Sequence, residues 1–359
     1  MITRVFFIYQ MSLEQKANEF FLKYLKNYSC SKHLIVMDSN RIFTKNKKND
    51  FDNIIILKKI HYSKNILKTY NGKIKIINRF KNLSIRENDL LISPPLFDIS
   101  NIVVYDLFRR KKAKSLIYSF NGVTPYSNNF KFNLKKTIIY SFNSLFLNKK
   151  ITRVFNIKDT PYKFPFMKVN TDYFIDFGVS NSYKKYINSK YFFKIPNLDY
   201  NIKSSNEILI LINTNKIYAL TGLSKNEYFK KIKSLIEKFK DKYEVRIKDH
   251  PSSKFPTESI IENLNIVSKN IIYKQVSFEN YLDKTCPKLI LSLGSSTLLY
   301  ARLLGINCFS IDSYLNSRNP DRYSRVYGID IFREDLKVSS NKEKIQSHKL
   351  NEIVDLIMN

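Results

Sequence analysis

Short apolar segments separated by polar stretches dominate the first third of the chain. Their lengths suit strands, and they are apolar throughout rather than alternating, which is typical of a parallel sheet covered on both faces. The predicted strands are Val5–Tyr9, Leu34–Met37, Ile54–Leu57, Leu90–Ser93, Ile102–Tyr105 and Ser115–Ser119, with a helix at Leu13–Asn27 after the first. This part of the chain is therefore expected to form a parallel α/β sheet.

Strands and helices alternate more regularly after residue 206. The predicted strands are Glu207–Ile212, Tyr243–Lys248, Ile271–Tyr273, Lys288–Leu293 and Ile306–Ile311. The predicted helices between them are Ser224–Lys240, Phe255–Leu264, Phe278–Lys284 and Thr297–Leu304. Ser224 and Glu227 have the spacing of a capping box at the start of the first of these helices. The alternation predicts a doubly wound α/β domain.

The length of 359 residues favours about two domains. The weakest periodicity lies around Asn188–Asn206, where we place the boundary. The expected domains are residues 1–195 and 196–340, followed by a C-terminal helix within 341–359 that packs back on the first domain.

The charge of the chain points to an anionic partner. It contains 61 Lys and Arg against 31 Asp and Glu, a net charge of +30. The abundance of Lys, Asn, Ile, Tyr and Phe is typical of coding bias, which weakens the argument without explaining the shortage of carboxylates. The basic, aromatic stretch Phe130–Lys150 suits either contact with an anionic membrane or a buried helix.

Several features favour a cytoplasmic protein. The first apolar run, Val5–Tyr9, is too short for the core of a signal peptide, and no apolar run approaches the ~18 residues of a membrane span. Three cysteines cannot form a disulfide framework and suit a reducing compartment.

Familiar cofactor and metal motifs are missing from the sequence. It has no G-x-G-x-x-G, Walker A, H-E-x-x-H or G-x-S-x-G pattern. Cys30 and His33 have metal-like spacing but no matching second pair, so we expect a core or surface cysteine and a surface histidine. Asp50-Phe51-Asp52 precedes a strand and is interpreted as a solvated loop. We expect no metal and no cofactor.

The first candidate for chemistry is Lys248-Asp249-His250-Pro251. It lies where a predicted parallel strand ends, which is where open α/β sheets bind ligands. Pro251 restricts His250 to an extended backbone. An imidazole, with a reference pKa of about 6.5, can donate a proton or hydrogen bond to a phosphate. The alternative is a turn histidine that caps a helix.

The second candidate is Gly294-Ser295-Ser296-Thr297, between a predicted strand and helix. Backbone N–H groups and hydroxyls at a helix start can bind an anion, and Gly294 permits close approach of the backbone. Ordinary helix capping explains the same residues. Together with His250, they suit the phosphate of a nucleotide sugar.

These two motifs resemble, in order and spacing, the HP and SS motifs of bacterial sialyltransferases and polysialyltransferases. The resemblance covers Glu207–Asp312 and implies the GT-B fold, with two Rossmann-like domains that face a cleft. It implies an N-terminal acceptor domain and a C-terminal donor domain. It also implies that His250 acts on the leaving phosphate, which Ser295 and Ser296 bind. We place Lys248, Pro251, Gly294 and Thr297 around the same donor.

The acidic motif of these families is degenerate in this chain. Gly122 and Tyr126 fit it, whereas Phe120 and Asn121 occupy the positions of its two acids. Because the first acid of the family serves as general base, three interpretations remain: another carboxylate such as Asp98 serves, the acceptor site differs, or donor is bound without efficient transfer.

The acceptor-side residues are expected to be Asn121, Gly122, Tyr126, Gln10 and Ser12, with simple helix capping favoured for Ser12. The resemblance implies an inverting, metal-independent transfer from a CMP-activated sialic or related nonulosonic acid to an anionic surface glycan, such as capsule, lipooligosaccharide or O-antigen. The alternatives are another sugar nucleotide, a non-catalytic relative that binds donor, and, less favoured, a nucleic-acid-binding protein using Lys and aromatic surfaces.

Overall fold

The structure is a computed structural model, and it describes most of the chain. The described residues are 1–9, 12–37, 50–58, 60, 66–94, 99–119, 130–132, 134, 138, 153–157, 163–166, 169–177, 187–195, 205–217, 221–251, 253–273, 275–282, 284–293, 295, 297–316, 331–333 and 349–359. The chain divides into two compact units. Unit 1 comprises Met1–Pro196 and Ser347–Asn359, and unit 2 comprises Asn197–Gln346.

Fifteen strands are present in the described residues. In unit 1 they are β1 (Arg4–Tyr9), β2 (Ser31–Met37), β3 (Asn53–Leu57), β4 (Asp89–Ser93), β5 (Lys114–Ser119), β6 (Phe130–Phe132), β7 (Arg153–Ile157), β8 (Lys163–Phe166), β9 (Val169–Asp176) and β10 (Ile187–Lys194). In unit 2 they are β11 (Glu207–Ile212), β12 (Glu244–Asp249), β13 (Ile271–Ile272), β14 (Leu289–Ser292) and β15 (Asn307–Ser310).

The described residues also form α-helices, which lie between and after these strands along the chain. They are α1 (Ser12–Leu25), α2 (Ile66–Lys81), α3 (Ile99–Arg110), α4 (Lys225–Phe239), α5 (Thr257–Leu264), α6 (Phe278–Leu282), α7 (Thr297–Leu303) and α8 (Leu350–Met358). In the part of the chain that the structure describes, none of them is long and apolar enough to cross a membrane.

Each unit is built on a parallel sheet. The sheet of unit 1 has the strand order β10-β9-β5-β4-β1-β2-β3, and that of unit 2 has the order β13-β12-β11-β14-β15. Neighbouring strands are parallel throughout both sheets. Since both sheets are parallel and helices connect several of their strands, the predicted α/β class with two Rossmann-like domains is confirmed. The cleft between the domains stays a prediction.

One predicted strand is wrong. Ile102–Tyr105 lies inside helix α3 and is at most 3% exposed. A short, fully buried apolar run has no periodicity that separates a buried strand from a buried helix. Here Phe108, one turn further along the helix and beyond Asp106, is also fully buried.

Strands β9 and β10 were not predicted, and β10 overlaps the stretch where we placed the domain boundary. Polar residues interrupt β9, but Asp172 accepts hydrogen bonds from the backbone N–H and hydroxyl of Ser115 on the neighbouring strand, at 2.9 and 3.1 Å. A buried strand can carry a polar side chain when such a partner exists. The partner is not visible in the local sequence.

Two other expectations are corrected in unit 1. His33 is buried rather than at the surface, and its ring stacks on Phe6 with 4.5 Å between the ring centroids. The first three residues of Phe130–Lys150 form β6, which pairs antiparallel with β7, and not a helix. Apart from Leu134 and Ile138, the rest of that stretch lies outside the described residues.

Helix α8 belongs to unit 1 and packs against its N-terminal stretch. The Tyr28 hydroxyl donates a hydrogen bond to Asp355, and the Ile2 N–H donates to the Met358 carbonyl at 3.3 Å. Apolar side chains of α1 and α8, including Phe21 and Ile357, line a common small cavity.

Unit 2 has its own core beneath α4. The capping box predicted for this helix is present, because the Ser224 hydroxyl accepts from the Glu227 N–H and the Glu227 carboxylate accepts from the Ser224 N–H. Six side chains of α4, from Tyr228 to Phe239, are buried at helical spacing. This packing fixes the sheet whose carboxyl edge carries both predicted donor motifs.

Candidate functional site

The strands of unit 2 end together at one edge of the sheet. The register pairs Ile212 of β11 with Asp249 of β12, and Leu211 of β11 with Ser292 of β14. Each of these three strands therefore reaches the edge within one residue of the others. His250, directly after Asp249, stands at this carboxyl edge, where open α/β sheets bind ligands.

Strand β11 separates the two predicted donor motifs. Neighbouring strands lie about 4.8 Å apart, so β12 and β14 are about 10 Å apart. His250 follows β12 on one side, and Ser295 follows β14 on the other. Asn213 and Thr214, which continue β11, lie between them. A ligand group above the end of β11 is thus flanked by both motifs.

Asp249 ties the ends of β11 and β12 together. The residue is 4% exposed. One carboxylate oxygen accepts from the backbone N–H groups of Thr214 and His250, at 3.1 and 2.8 Å. The other accepts from the Thr214 hydroxyl at 2.5 Å. These bonds fix the backbone on which the His250 side chain stands.

A turn holds His250 from its other side. The Ser253 N–H donates to the His250 carbonyl at 2.8 Å, and Pro251 occupies the position in such a turn that its fixed φ suits. The Ser253 hydroxyl shares a hydrogen bond of 2.6 Å with the Thr214 hydroxyl. The backbone of His250 is therefore held on both sides, while its side chain is exposed.

Sequence reasoning assigned no role to Asp249, Thr214 or Ser253. The available signal was a carboxylate directly after the predicted strand Tyr243–Lys248, where a buried acid needs several donors. Thr214 is distant in sequence, so only the register of β11 against β12 reveals it as the partner.

Lys248 is buried, unlike its neighbour His250, which is exposed. It is 3% exposed, and its Nζ is buried within unit 2. The sequence placed it among the donor-binding residues. The structure places its ammonium group inside the unit, whereas Pro251 is exposed beside His250.

Ser295 and Thr297 form a hydroxyl pair, with 2.5 Å between Oγ and Oγ1. The Thr297 N–H donates to the Ser295 hydroxyl at 3.2 Å, which is a helix-capping contact at the start of α7. Two hydroxyls carry two protons, and only one lies between them. The other proton is available to a second acceptor.

Two more polar atoms at this edge are buried without a hydrogen-bond partner among the described residues. They are Oδ1 of Asn213 and Oγ of Ser292. Asn213 is 9% exposed and Ser292 is fully buried. Because buried polar groups are normally paired, both atoms are exceptions at the ends of β11 and β14.

A second buried carboxylate lies at the end of β15. Asp312 accepts a hydrogen bond from the Ser310 hydroxyl and is 1% exposed. Burial raises the pKa of the Tyr228 phenol beneath the edge, and the negative charges of Asp249 and Asp312 add to the effect. The interior of unit 2 below the edge thus holds the carboxylates of Asp249 and Asp312 as well as the Lys248 side chain, whereas the His250 side chain is exposed.

The other predicted site residues belong to the second donor motif, the acceptor side and the general base. Gly294, Ser296, Asp98, Gln10 and the segment from Phe120 to Tyr126 lie outside the described residues. Ser12 is the first residue of α1, and its side chain is not described. The acceptor side and the general base stay predictions.

The chain matches no family model and no curated protein. Solved structures similar to it include a UDP-N-acetylglucosamine 2-epimerase from Neisseria meningitidis bound to UDP-GlcNAc, with a TM-score of 0.47, 10% identity, and coverage of 86% of this chain and 82% of that one. The calicheamicin glycosyltransferase CalG4 has a TM-score of 0.46 and 12% identity, covering 93% and 86%. MurG from Acinetobacter baumannii has a TM-score of 0.43 and 9% identity, covering 99% and 91%. No residue's role is carried over from them.

Proposed function

We propose that this chain is a glycosyltransferase that inverts the configuration of the sugar it transfers and binds its nucleotide-sugar donor at the carboxyl edge of the unit 2 sheet. The observation that carries the proposal is the exposed side chain of His250. Its backbone is fixed by Asp249 and by the turn to Ser253, and the Ser295–Thr297 hydroxyl pair follows the next strand but one.

The proposed donor is a CMP-activated sialic or related nonulosonic acid, and the acceptor is an anionic surface glycan. The motif resemblance supports this choice, and the net charge of +30 suits both partners. A cytoplasmic location belongs to the same proposal. Cys30, Cys286 and Cys308 are buried free thiols, which suits a reducing compartment.

In the proposed reaction, an acceptor hydroxyl attacks the anomeric carbon on the face opposite the phosphate. The new C–O bond forms as the bond between the sugar and the phosphate oxygen of CMP breaks. The hydroxyl proton passes to a base, for which Asp98 is the proposed group. His250 donates a hydrogen bond or proton to the departing phosphate, and the second hydroxyl proton of the Ser295–Thr297 pair is donated to the same charge. The side chains supply this stabilisation without a metal.

A non-catalytic relative that binds donor is the second candidate. Phe120 and Asn121 favour it, because neither side chain can accept a proton from the acceptor hydroxyl. Turnover separates the two candidates.

The test is the release of CMP from CMP-sialic acid, followed by NMR with a panel of sialylatable glycans. The wild type is compared with His250→Ala, and Lys254→Ala is the matched control. Lys254 is an exposed neighbour whose described contact, to Asn215 at 3.0 Å, is made by its backbone N–H and survives the substitution. We expect acceptor-dependent CMP release that falls by about 10²–10⁴-fold in His250→Ala and stays unchanged in Lys254→Ala.

Each other result has a defined meaning. Donor binding without release supports the non-catalytic relative. If CMP is neither bound nor released, the CMP-sugar proposal is contradicted, and the same assay is repeated with other sugar nucleotides. Equal activity of His250→Ala and wild type contradicts the role of His250.

A further inference from the structure

Helix α2 of unit 1 presents large apolar side chains to solvent. Leu67, Tyr70 and Ile74 are 69%, 42% and 36% exposed. Their spacing of three and four residues places them on one side of the helix, since each residue turns the helix by about 100°. The opposite side is anchored in the core of unit 1 by Thr69, Ile76 and Phe80, which are 1%, 3% and 4% exposed.

Cations border this apolar stripe, and acids are missing from the helix. The 16 residues of α2 contain no Asp or Glu. Helical geometry places Lys68, Lys75 and Arg79 along one side of the stripe and Lys81 in line with it, two turns beyond Ile74. All four are exposed. The outward face of α2 thus combines aliphatic side chains with a cationic border.

The remaining cation of the helix faces inward. Lys73 is half-buried, and burial lowers its pKa, as does the nearby guanidinium of Arg110. Asp106 of α3 acts in the opposite direction on the same group. Asp106 therefore lies near the inner flank of α2, where Lys73 is half-buried.

We propose that the outward face of α2 lies on the surface of an anionic lipid bilayer. Interfacial helices bury an apolar face at the boundary between headgroups and acyl chains, while their Lys and Arg side chains contact anionic headgroups. Leu67, Tyr70 and Ile74 would enter that boundary, and Lys68, Lys75, Arg79 and Lys81 would contact the headgroups.

The composition of the face selects this partner over others. Proteins bind single-stranded nucleic acid by stacking its bases on flat aromatic rings. The exposed aliphatic side chains of Leu67 and Ile74 cannot provide such stacking. A second copy of the chain would place cation against cation, because the face carries no acid. A bilayer surface uses both the aliphatic side chains and the charges.

The experiment is co-sedimentation of the full chain with vesicles of phosphatidylcholine alone or with 30% phosphatidylglycerol. One variant, Leu67→Ser/Ile74→Ser, removes apolar surface, and Lys68→Gln/Lys75→Gln/Arg79→Gln removes charge. Matched controls on other exposed sites are Val267→Ser/Leu356→Ser and Lys230→Gln/Lys233→Gln/Lys269→Gln. Thermal melts verify that all variants are folded.

We expect binding to the anionic vesicles only. It should weaken by about a hundredfold in the charge variant, at about fivefold per cation, and by about tenfold in the apolar variant. Both controls should bind like the wild type. No binding, or equal binding by the α2 variants and the controls, overturns the proposal. Loss in the charge variant alone, with displacement by single-stranded DNA, also overturns it in favour of a general polyanion surface.

This inference goes beyond the proposed donor chemistry. The vesicle assay contains neither nucleotide nor glycan, so its failure is independent of the failure of the CMP release assay.

Discussion

Buried carboxylates at opposite edges of the two sheets are satisfied in different ways. At the amino edge of the unit 1 sheet, fully buried Asp89 forms a two-fold ion pair with Arg4, with both N–O distances at 2.7 Å. At the carboxyl edge of the unit 2 sheet, the three hydrogen bonds to Asp249 come from neutral N–H and hydroxyl groups. The first arrangement joins strands and neutralises charge. The second fixes a backbone beside an exposed histidine.

The amino edge of the unit 2 sheet follows the pattern of unit 1. Glu207 is 3% exposed, and the Tyr281 hydroxyl donates to its two oxygens at 2.6 and 2.5 Å. Arg246 Nε lies 3.3 Å from the same carboxylate. Both amino edges are thus closed by a cation and a carboxylate, whereas the carboxyl edge of unit 2 holds Asp249 with neutral donors.

The largest effect on stability is expected for Asp89→Asn. The substitution leaves the guanidinium of Arg4 without its buried partner, which should lower the free energy of unfolding by about 3–5 kcal/mol. Urea denaturation measures this change. The control is Asp52→Asn, which alters an exposed aspartate that accepts from the Lys32 N–H at 2.6 Å and should cost less than about 1 kcal/mol. Equal losses would contradict a special role for the buried pair.

Asp249→Asn should have a smaller effect on stability but a clear one on activity. An amide cannot accept all three hydrogen bonds, so the free energy of unfolding should fall by about 1–3 kcal/mol. If Asp249 positions His250, kcat for CMP release should fall at least tenfold while KM changes little, as measured by initial rates at several donor concentrations.

The matched control is Asp312→Asn, which alters the other buried carboxylate at the same edge. It should lower stability by a similar amount without the loss of kcat. A fall in kcat that is equal in the two variants would show that the effect reflects stability alone and would remove the distinction between the edges.

The smallest expected effect is on the pH dependence of stability, through Glu207. Burial raises the pKa of Glu207, although Tyr281 and Arg246 partly oppose the shift. The Glu207 carboxyl therefore keeps its proton to higher pH in the folded state than in the unfolded state. Its contribution to the free energy of unfolding is present at low pH and is lost as pH rises through the folded pKa. Thermal melts between pH 4 and 7 should show this loss in the wild type and not in Glu207→Gln. An identical slope in both proteins would contradict it.

The sequence was sufficient for elements whose pattern is local. Glu207–Ile212 was predicted at its observed bounds, and the capping box at Ser224 and Glu227 was correct. Leu90–Ser93 and Ile102–Tyr105 show the limit, since both are short buried apolar runs but only the first is a strand. What separates them is the packing around each run, which local sequence does not encode.

The candidate site shows the same limit. The position of His250 at a strand end followed from the pattern around Lys248-Asp249-His250-Pro251. The contact of Asp249 with Thr214 did not, because 35 residues separate them and only strand register brings them together. For the acceptor side, the residues named from the sequence remain predictions.

The position of α8 has a consequence for the order of synthesis. Unit 1 is made of two stretches, Met1–Pro196 and Ser347–Asn359, and all of unit 2 is translated between them. Translation proceeds at roughly 5–20 residues per second. The helix that covers Phe21 and Leu25 is therefore synthesised on the order of ten seconds or more after the first stretch. During this interval a nascent chain exposes an apolar groove that a chaperone can bind, and unit 2 can fold before unit 1 is finished.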